Sequence, residues 1–240
     1  MAVNRNDRMK QVVRVIIPAY NEENAIAKVI NEIPLSHVDE VVVVNNNSND
    51  NTEVNAKSAG ATVLREKRQG YGVACLKGIE YVRNLEESTD VLVFIDADYS
   101  DYPEELILLL DQVNNGNDLV IGSRSLGLKE KGSMTSQQIF GNWLATGLIN
   151  LFYGKKFSDL GPFRAVTWKC LEEIKMQDTT YGWTVEMQLK VAKGDYSFTE
   201  VPVNYRVRVG KSKISGTLKG TVLAGYKIIR TIFKLSLIHI

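Results

Sequence analysis

Two aspartates one residue apart, Asp96 and Asp98, stand directly after the apolar run VLVFI at 91–95. A buried strand ending there presents both carboxylates at the carboxyl edge of a sheet, where open α/β sheets bind ligands. Carboxylates so placed can share one hard divalent cation, which prefers oxygen ligands and bridges to phosphates. A solvated acidic turn is the plain alternative. Pro18-Ala19-Tyr20-Asn21-Glu22 marks a second strand exit. Tyr20 can stack on a base, and Asn21 or Glu22 can cap a following helix. The run Asn45 to Thr52 suits a polar turn, because amides tolerate left-handed backbone. Amides can also read a base edge through paired donors and acceptors. Arg68-Gln69-Gly70-Tyr71-Gly72 opens a helix and allows a nucleotide close to the backbone. Its third glycine position is Cys75, and it follows the third apolar run, not the first, so nicotinamide binding is not expected.

These groups need a scaffold, and the chain alternates strand and helix patterns. Strands are expected at 12–17, 41–44, 61–64, 91–95 and 119–121, those at 12–17, 41–44 and 91–95 buried, and helices at 22–33, 52–58, 70–85 and 103–113. Pro34 stops the first helix and Pro103 opens the last of them. Continuous β-branched runs separated by helices mean a mostly parallel sheet covered on both faces. Beyond residue 125 the pattern is less regular. Helices are expected at 136–152 and 183–193, and 198–207 alternates like an edge strand. From Thr217 to Phe233 a helical stripe of Leu218, Val222, Gly225, Ile229 and Phe233 returns, with Lys219, Lys227, Arg230 and Lys234 largely off it.

The 240 residues, 44% of them hydrophobic, suffice for one substantial core. A 24% charged share excludes wholesale disorder. Two cysteines, Cys75 and Cys170, make no disulfide framework and fit a reducing compartment. No uninterrupted apolar run reaches about 18 residues, so no membrane span is expected. The polar start MAVNRNDRMK is not a secretory signal. The net charge of +1 hides an asymmetry: eight basic and no acidic residues follow Glu200. Such a terminus suits an anionic partner or, equally, a solvated helix face. The chain divides into a polar tail at 1–10, a main domain at 11–205, and a basic loop with an amphipathic C-terminal helix at 206–240.

In order along the chain, IPAYNE (17–22), NNNSNDNT (45–52), RQGYG (68–72) and DAD (96–98) resemble the donor half of family 2 glycosyltransferases. GSR (122–124), DLGPFRA (159–165) and VGKSK (209–213) look like the dolichyl-phosphate mannose synthase branch, or polyprenyl-phosphate glycosyltransferases generally. The resemblance spans about residues 12–215. It implies a GT-A fold, which is a Rossmann-like α/β arrangement, a UDP- or GDP-sugar donor, a divalent metal (Mg2+ or Mn2+) and inversion at the sugar carbon. By position, it implies that Pro18, Ala19, Tyr20, Glu22, Arg68, Gly72 and Ala97 bind the nucleotide-sugar. Asn46 stands where an aspartate normally reads the base. Asp96 would meet the ribose or metal, and Asp98 would hold the metal at the diphosphate. Arg124 and Arg164 match arginines near the phosphates and acceptor, and Lys211 and Lys213 a basic loop that closes over the site. Three departures stand out: Asn45 and Asn46 replace paired aspartates, Ser100 stands where a glutamine is frequent, and the stretch Gly141 to Leu144 lacks an arginine.

Glycosyl transfer builds negative charge on the leaving diphosphate, which a metal on Asp98, Arg124 and the 211–213 lysines would stabilise. A lipid phosphate is already an anion and attacks without a base, whereas a hydroxyl needs a carboxylate within reach. Asp159 and Glu186 are the candidates for that base, against readings as a cap or arginine partner and as a helix-surface acid. The expectation is therefore transfer to a lipid-linked acceptor, a polyprenyl phosphate, at the cytoplasmic face of an anionic membrane that the 217–240 segment touches. The bland alternative packs that helix on the protein's own core or on a second copy in a homodimer. Transfer to a hydroxyl and a non-catalytic nucleotide-sugar binding module remain the competing functions. Nucleotidylyl transfer is disfavoured because IPAYNE offers no glycine-rich basic loop. No nucleic-acid partner is expected.

Overall fold

The computed structural model describes residues 11–210 and 218–237. Its first strand, Val13–Ala19 (β1), is buried along its whole length. Val15 and Ile17 point to one face of the sheet and Ile16 to the other, and each meets its own apolar cluster. A strand covered on both sides has no polar alternate, which is why it reads as one apolar run. Arg14 is the exception at 3% exposure, and its guanidinium is offset by Glu40, Glu87 and the Ser88 carbonyl.

The first half continues as Ile26–Glu32 (α1), Glu40–Asn45 (β2), Thr52–Ser58 (α2), Thr62–Arg65 (β3), Tyr71–Arg83 (α3) and Val91–Phe94 (β4). A 3-10 turn at Pro103–Glu105 leads into Leu106–Asn114 (α4), then Leu119–Ser123 (β5). Each expected strand and helix of this half is present, although α1 starts four residues late. Asn21 takes a left-handed φ of 53°, and the Glu22 carbonyl accepts from Ala25 and Ile26 before regular helix begins. The second half contributes Ser136–Tyr153 (α5), Arg164–Thr167 (β6), Trp168–Ile174 (α6), Trp183–Lys193 (α7), Phe198–Pro202 (β7) and Leu218–Leu237 (α8).

The seven strands run in the order β3-β2-β1-β4-β6-β5-β7. All pairs are parallel except those made by β6, which lies antiparallel between β4 and β5. Strand order reverses between β1 and β4, so their carboxyl ends flank a topological switch point. The sequence analysis anticipated neither β6 nor α6. Four residues opening on a charged side chain after Gly-Pro give no periodic signal. β7 takes the sheet edge as expected, but it ends at Pro202 and the chain then runs along the strand exits.

α8 packs on α5 and α7, through a stripe different from the one expected. Thr231 and Ile232 are buried and Ile228 and Leu235 pack against the core, while Phe233 is 43% exposed and lies edge-on to Phe152. The expected stripe is thus out of phase by about one residue; the side chains of Leu218, Lys219 and Val222 lie outside the description. α5 is capped by a reciprocal Thr135–Gln138 box. Its 18 residues include no charged side chain, and Ile139, Phe140, Trp143 and Leu151 face solvent.

Candidate active site

β1 and β4 are parallel neighbours, so the chain leaves both at the same edge. There a cleft of about 300 Å³ opens. Pro18, Ala19, Tyr20 and Glu22 line it from the β1 exit, Asn46 from the β2 exit, and Asp96, Ala97 and Asp98 from the β4 exit. Gln69, Gly70, Tyr71 and Ala74 close it from the start of α3, with Tyr181 and Arg208 completing the wall. The first three groups are those the motifs pointed to. Gln69, Gly70, Tyr71, Ala74, Tyr181 and Arg208 are additions from the fold, and of these only Gln69, Gly70 and Tyr71 lie in a motif quoted from the sequence.

The two carboxylates differ in environment. Asp98 is buried, its Oδ1 accepting from the Ser100 amide and hydroxyl, its Oδ2 2.9 Å from Arg208 Nη1. Ser100 therefore orients Asp98, which is a different task from direct metal ligation. Asp96 Oδ1 is buried with no hydrogen-bond donor among the described residues. Burial, then the charge of Asp98, pushes the Asp96 carboxyl up to about 7. A buried, undonated carboxylate oxygen beside a second carboxylate is costly unless something positive arrives. No cluster of three or more His, Cys, Asp or Glu suited to a metal exists among the described residues. A cation here would therefore take oxygens from Asp96 and Asp98 and the rest from water and phosphate, which suits Mg2+-like ions. The residues fit such an ion.

The backbone just after these acids is strained. Tyr99 has φ 65°, unusual for a bulky side chain. Its ring is held by the Arg206 guanidinium 3.3 Å from its centroid, and its hydroxyl donates to Glu32. The turn aims Asp98 at the cleft and sends Asp101 into the interior, where neither carboxylate oxygen meets a donor among the described residues. Burial, then Asp96, holds the Asp101 carboxyl well above its ordinary range.

A pH dependence follows. A carboxyl raised in the folded state stabilises it fully below the unfolded pKa, about 3.9, and that share is lost as pH climbs through the folded value. Without added cation, the protein should lose stability between about pH 4 and 7 by on the order of a few kcal/mol from Asp96. Urea midpoints read against pH should show this slope, and Asp96→Asn should flatten it, leaving the part owed to Asp101. An unchanged slope in the variant would assign the dependence elsewhere.

Several expected contacts are spent on the protein itself. Asn46 Nδ2 donates to the Arg68 and Glu66 carbonyls at 2.6 and 3.3 Å, and its Oδ1 accepts from Gly70. It lines the cleft as a clamp on the 66–70 loop, with both amide donors occupied, so base reading is not its evident task. An aspartate there would face two carbonyls with no proton to give. Arg68 turns outward, 78% exposed, to pair with Glu66. Gly72 is needed for packing: a Cβ would sit 2.0 Å from the Asp178 carbonyl oxygen. Gly72→Ala should cost roughly 2–4 kcal/mol, because backbone must move on both sides. Thermal unfolding checks this, and a loss under about 0.5 kcal/mol, the usual surface range, would contradict it.

The acceptor-side residues also differ from expectation. Asp159, fully buried, holds Arg124 in a bidentate pair at 2.6 and 2.8 Å. Burial pushes Asp159 up, but the Arg124 charge and hydrogen bonds outweigh it and keep the carboxyl below its ordinary value. An acid so paired is a poor proton acceptor. Arg164 sits on central strand β6, fully buried, donating to the Gly161 and Thr184 carbonyls. It ties the 159–163 loop to α7 and is not turned to a phosphate in the cleft. Glu186 accepts from the Gln177 and Asp178 amides and pairs with Lys190 at 2.8 Å, so it stitches the 177–178 turn to α7. Lys211 and Lys213 lie outside the described residues.

Residues 14–174 match the family described as Glycosyl transferase family 2. The undecaprenyl-phosphate mannosyltransferase of Micrococcus luteus is 31% identical over 224 residues, covering 87% of this chain and 89% of that protein. The dolichyl-phosphate hexose transferase of Haloferax volcanii is 30% identical over 213 residues, with 87% and 89% covered. Glucosyl-3-phosphoglycerate synthase from Mycobacterium tuberculosis, crystallised with Mn2+, uridine diphosphate and phosphoglyceric acid, superposes with a TM-score of 0.74 at 23% identity, over 96% of this chain and 80% of that one. That likeness is one of fold, and it is the GT-A fold.

Proposed function

The chain belongs to glycosyltransferase family 2 and is a glycosyltransferase, and we propose that it transfers a sugar, with inversion, from a UDP- or GDP-sugar to a polyprenyl phosphate. The donor lies in the switch-point cleft, its base beside Tyr20 and its diphosphate beside Asp96, Asp98 and Arg208. A divalent cation, Mg2+ or Mn2+ as in the solved synthase complexes, supplies charge that stabilises the departing diphosphate. Asp96 and Asp98 hold it. Ser100 fixes the rotamer of Asp98, and the Tyr99 turn fixes the loop. Arg208 adds positive charge at the leaving oxygens.

The observation that carries the acceptor reading is how Asp159 and Glu186 are used. Both acids that sequence reasoning offered as a base are engaged by Arg124 and by backbone amides. A phosphate acceptor needs no base, because it is ionised at neutral pH. The named activities of the Micrococcus and Haloferax relatives, both on polyprenyl or dolichyl phosphates, point the same way.

A lipid acceptor also calls for contact with its membrane. Among the described residues no helix is long and apolar enough to cross one. The uncharged outer side of α5 supports a peripheral mode on the inner face, continued by Tyr226 and Phe233 of α8 and bordered by exposed Lys155, Lys156, Arg230 and Lys234. Aromatic side chains beside lysines suit an anionic headgroup layer, each basic residue contributing roughly 1 kcal/mol. Salt-sensitive flotation with anionic vesicles is expected, and Trp143→Ser should weaken it. Flotation unaffected by that change would place the contact elsewhere.

Radiolabelled donor with polyprenyl phosphate, followed by mild acid, tests the reaction. Lipid-phosphate sugar is released by the acid. A product that survives it would mean transfer to a hydroxyl instead.

A further inference from the structure

Past β7 the chain crosses the strand exits as a strap tied to the 98–101 turn. Tyr205 bridges to Asp101, Arg206 N–H donates to the Ser100 carbonyl, and Val209 N–H donates to the Asp98 carbonyl. Between the last two, Arg208 reaches into the cleft, its side chain three-quarters buried. Its Nη2 meets Glu22 Oε1 at 2.9 Å and its Nη1 meets Asp98 Oδ2 at 2.9 Å. The guanidinium thus joins the β1 exit to the β4 exit along the wall of the site.

Asp98 has little left to give. Ser100 occupies Oδ1, and Oδ2 faces a full positive charge. A divalent cation drawing on Oδ2 is repelled by the guanidinium already 2.9 Å from that oxygen. Each therefore weakens the other's hold on it. Once displaced from Asp98, Arg208 keeps Glu22 on Nη2 but leaves Nη1 without its carboxylate, which is costly for a largely buried guanidinium. A diphosphate in the cleft can take that carboxylate's place, and guanidinium matches its oxygens well.

We propose that Arg208 competes with the divalent cation for Asp98 Oδ2, so that cation and nucleotide diphosphate bind cooperatively. This rests on the metal reading given above. The coupling is reciprocal: whatever factor the nucleotide adds to cation affinity, the cation adds to nucleotide affinity. Metal is then held firmly only when a donor is present to occupy Arg208, and the strap carrying Arg208 registers both.

Mn2+ titration followed by the EPR signal of free Mn2+ tests this on the full chain, with and without UDP. Arg208→Gln should bind Mn2+ alone about tenfold or more tightly than the parent protein, within the usual range of coupling factors. The enhancement given by UDP should shrink in that variant. Arg208→Lys, a point charge that cannot span Glu22 and Asp98 together, should fall between. Arg83→Gln removes a like charge at the far end of α3, where it pairs with Glu172, and should titrate as the parent does. A urea midpoint for each variant establishes that it is folded. Equal or weaker Mn2+ binding by both Arg208 variants without UDP overturns the competition. Absence of Mn2+ binding by every protein, with UDP present, takes the metal reading down as well, so the two failures are distinct.

Discussion

Asp98→Ala should reduce sugar transfer by about a thousandfold or more while leaving the fold intact. Asp98 is the carboxylate held in place by a dedicated neighbour, with Ser100 donating amide and hydroxyl to one oxygen. Its other oxygen points to the place where positive charge gathers, now Arg208 and in the proposed reaction the cation. Without it, Asp96 alone is left to hold a cation, and Arg208 is the one positive charge among the described residues lining the cleft to meet the leaving group. The fold should tolerate the change for two reasons. Arg208 keeps Glu22 at 2.9 Å, and the Asp98 charge that helps drive up the Asp96 carboxyl is gone. Initial rates with labelled donor and a urea midpoint separate the two effects. Turnover within a few-fold of the parent, in a folded variant, would exclude this cleft as the reaction centre.

The cleft was legible in the sequence where function and local pattern coincide. VLVFI followed by DAD shows a buried strand and its exit in eight adjacent residues, and IPAYNE does the same for β1. Periodicity found the parallel half of the sheet because strands covered on both faces leave long apolar runs. It missed β6, whose four residues begin with arginine. That miss explains the misplacement of Arg164: only the knowledge that β6 is central shows its side chain entering the core. Arg206 and Arg208, two apart in an extended segment, looked alike as part of a basic terminus. Tertiary contacts alone separate them, one stacking on Tyr99 beside Glu32, the other joining Glu22 to Asp98. Asn46 shows the opposite limit. It lines the cleft, yet its hydrogen bonds go to the 66–70 loop. No local pattern reveals which acceptors an amide will find.

Asp159→Ala should destabilise the protein by about 3–5 kcal/mol, because it strands the Arg124 charge in the interior. Arg124 is only 11% exposed, its backbone amide and two guanidinium nitrogens all donate to Asp159, and Tyr205 covers it with a ring centroid 5.1 Å away. Nothing equivalent replaces the carboxylate: burial, then Asp96, pushes the nearby Asp101 carboxyl well above its ordinary range, and ionising it would add charge beside two acids. For a chain of this size such a loss corresponds to a fall in Tm of roughly 10 °C. The pair's share of stability is present above the unfolded aspartate pKa and disappears only as acid protonates Asp159 below it. The double variant Arg124→Met, Asp159→Leu should recover most of the loss, since a well-packed apolar pair avoids desolvating two ions. That variant also divides the roles of Arg124. Recovered stability with transfer intact makes the arginine a structural partner of the 159–163 loop. Recovered stability with transfer abolished means that its charge acts on the phosphates, as the family resemblance implies. A single-variant cost below about 1 kcal/mol, typical of exposed pairs, would mean that the interior tolerates an unpaired arginine and that the argument from burial is wrong.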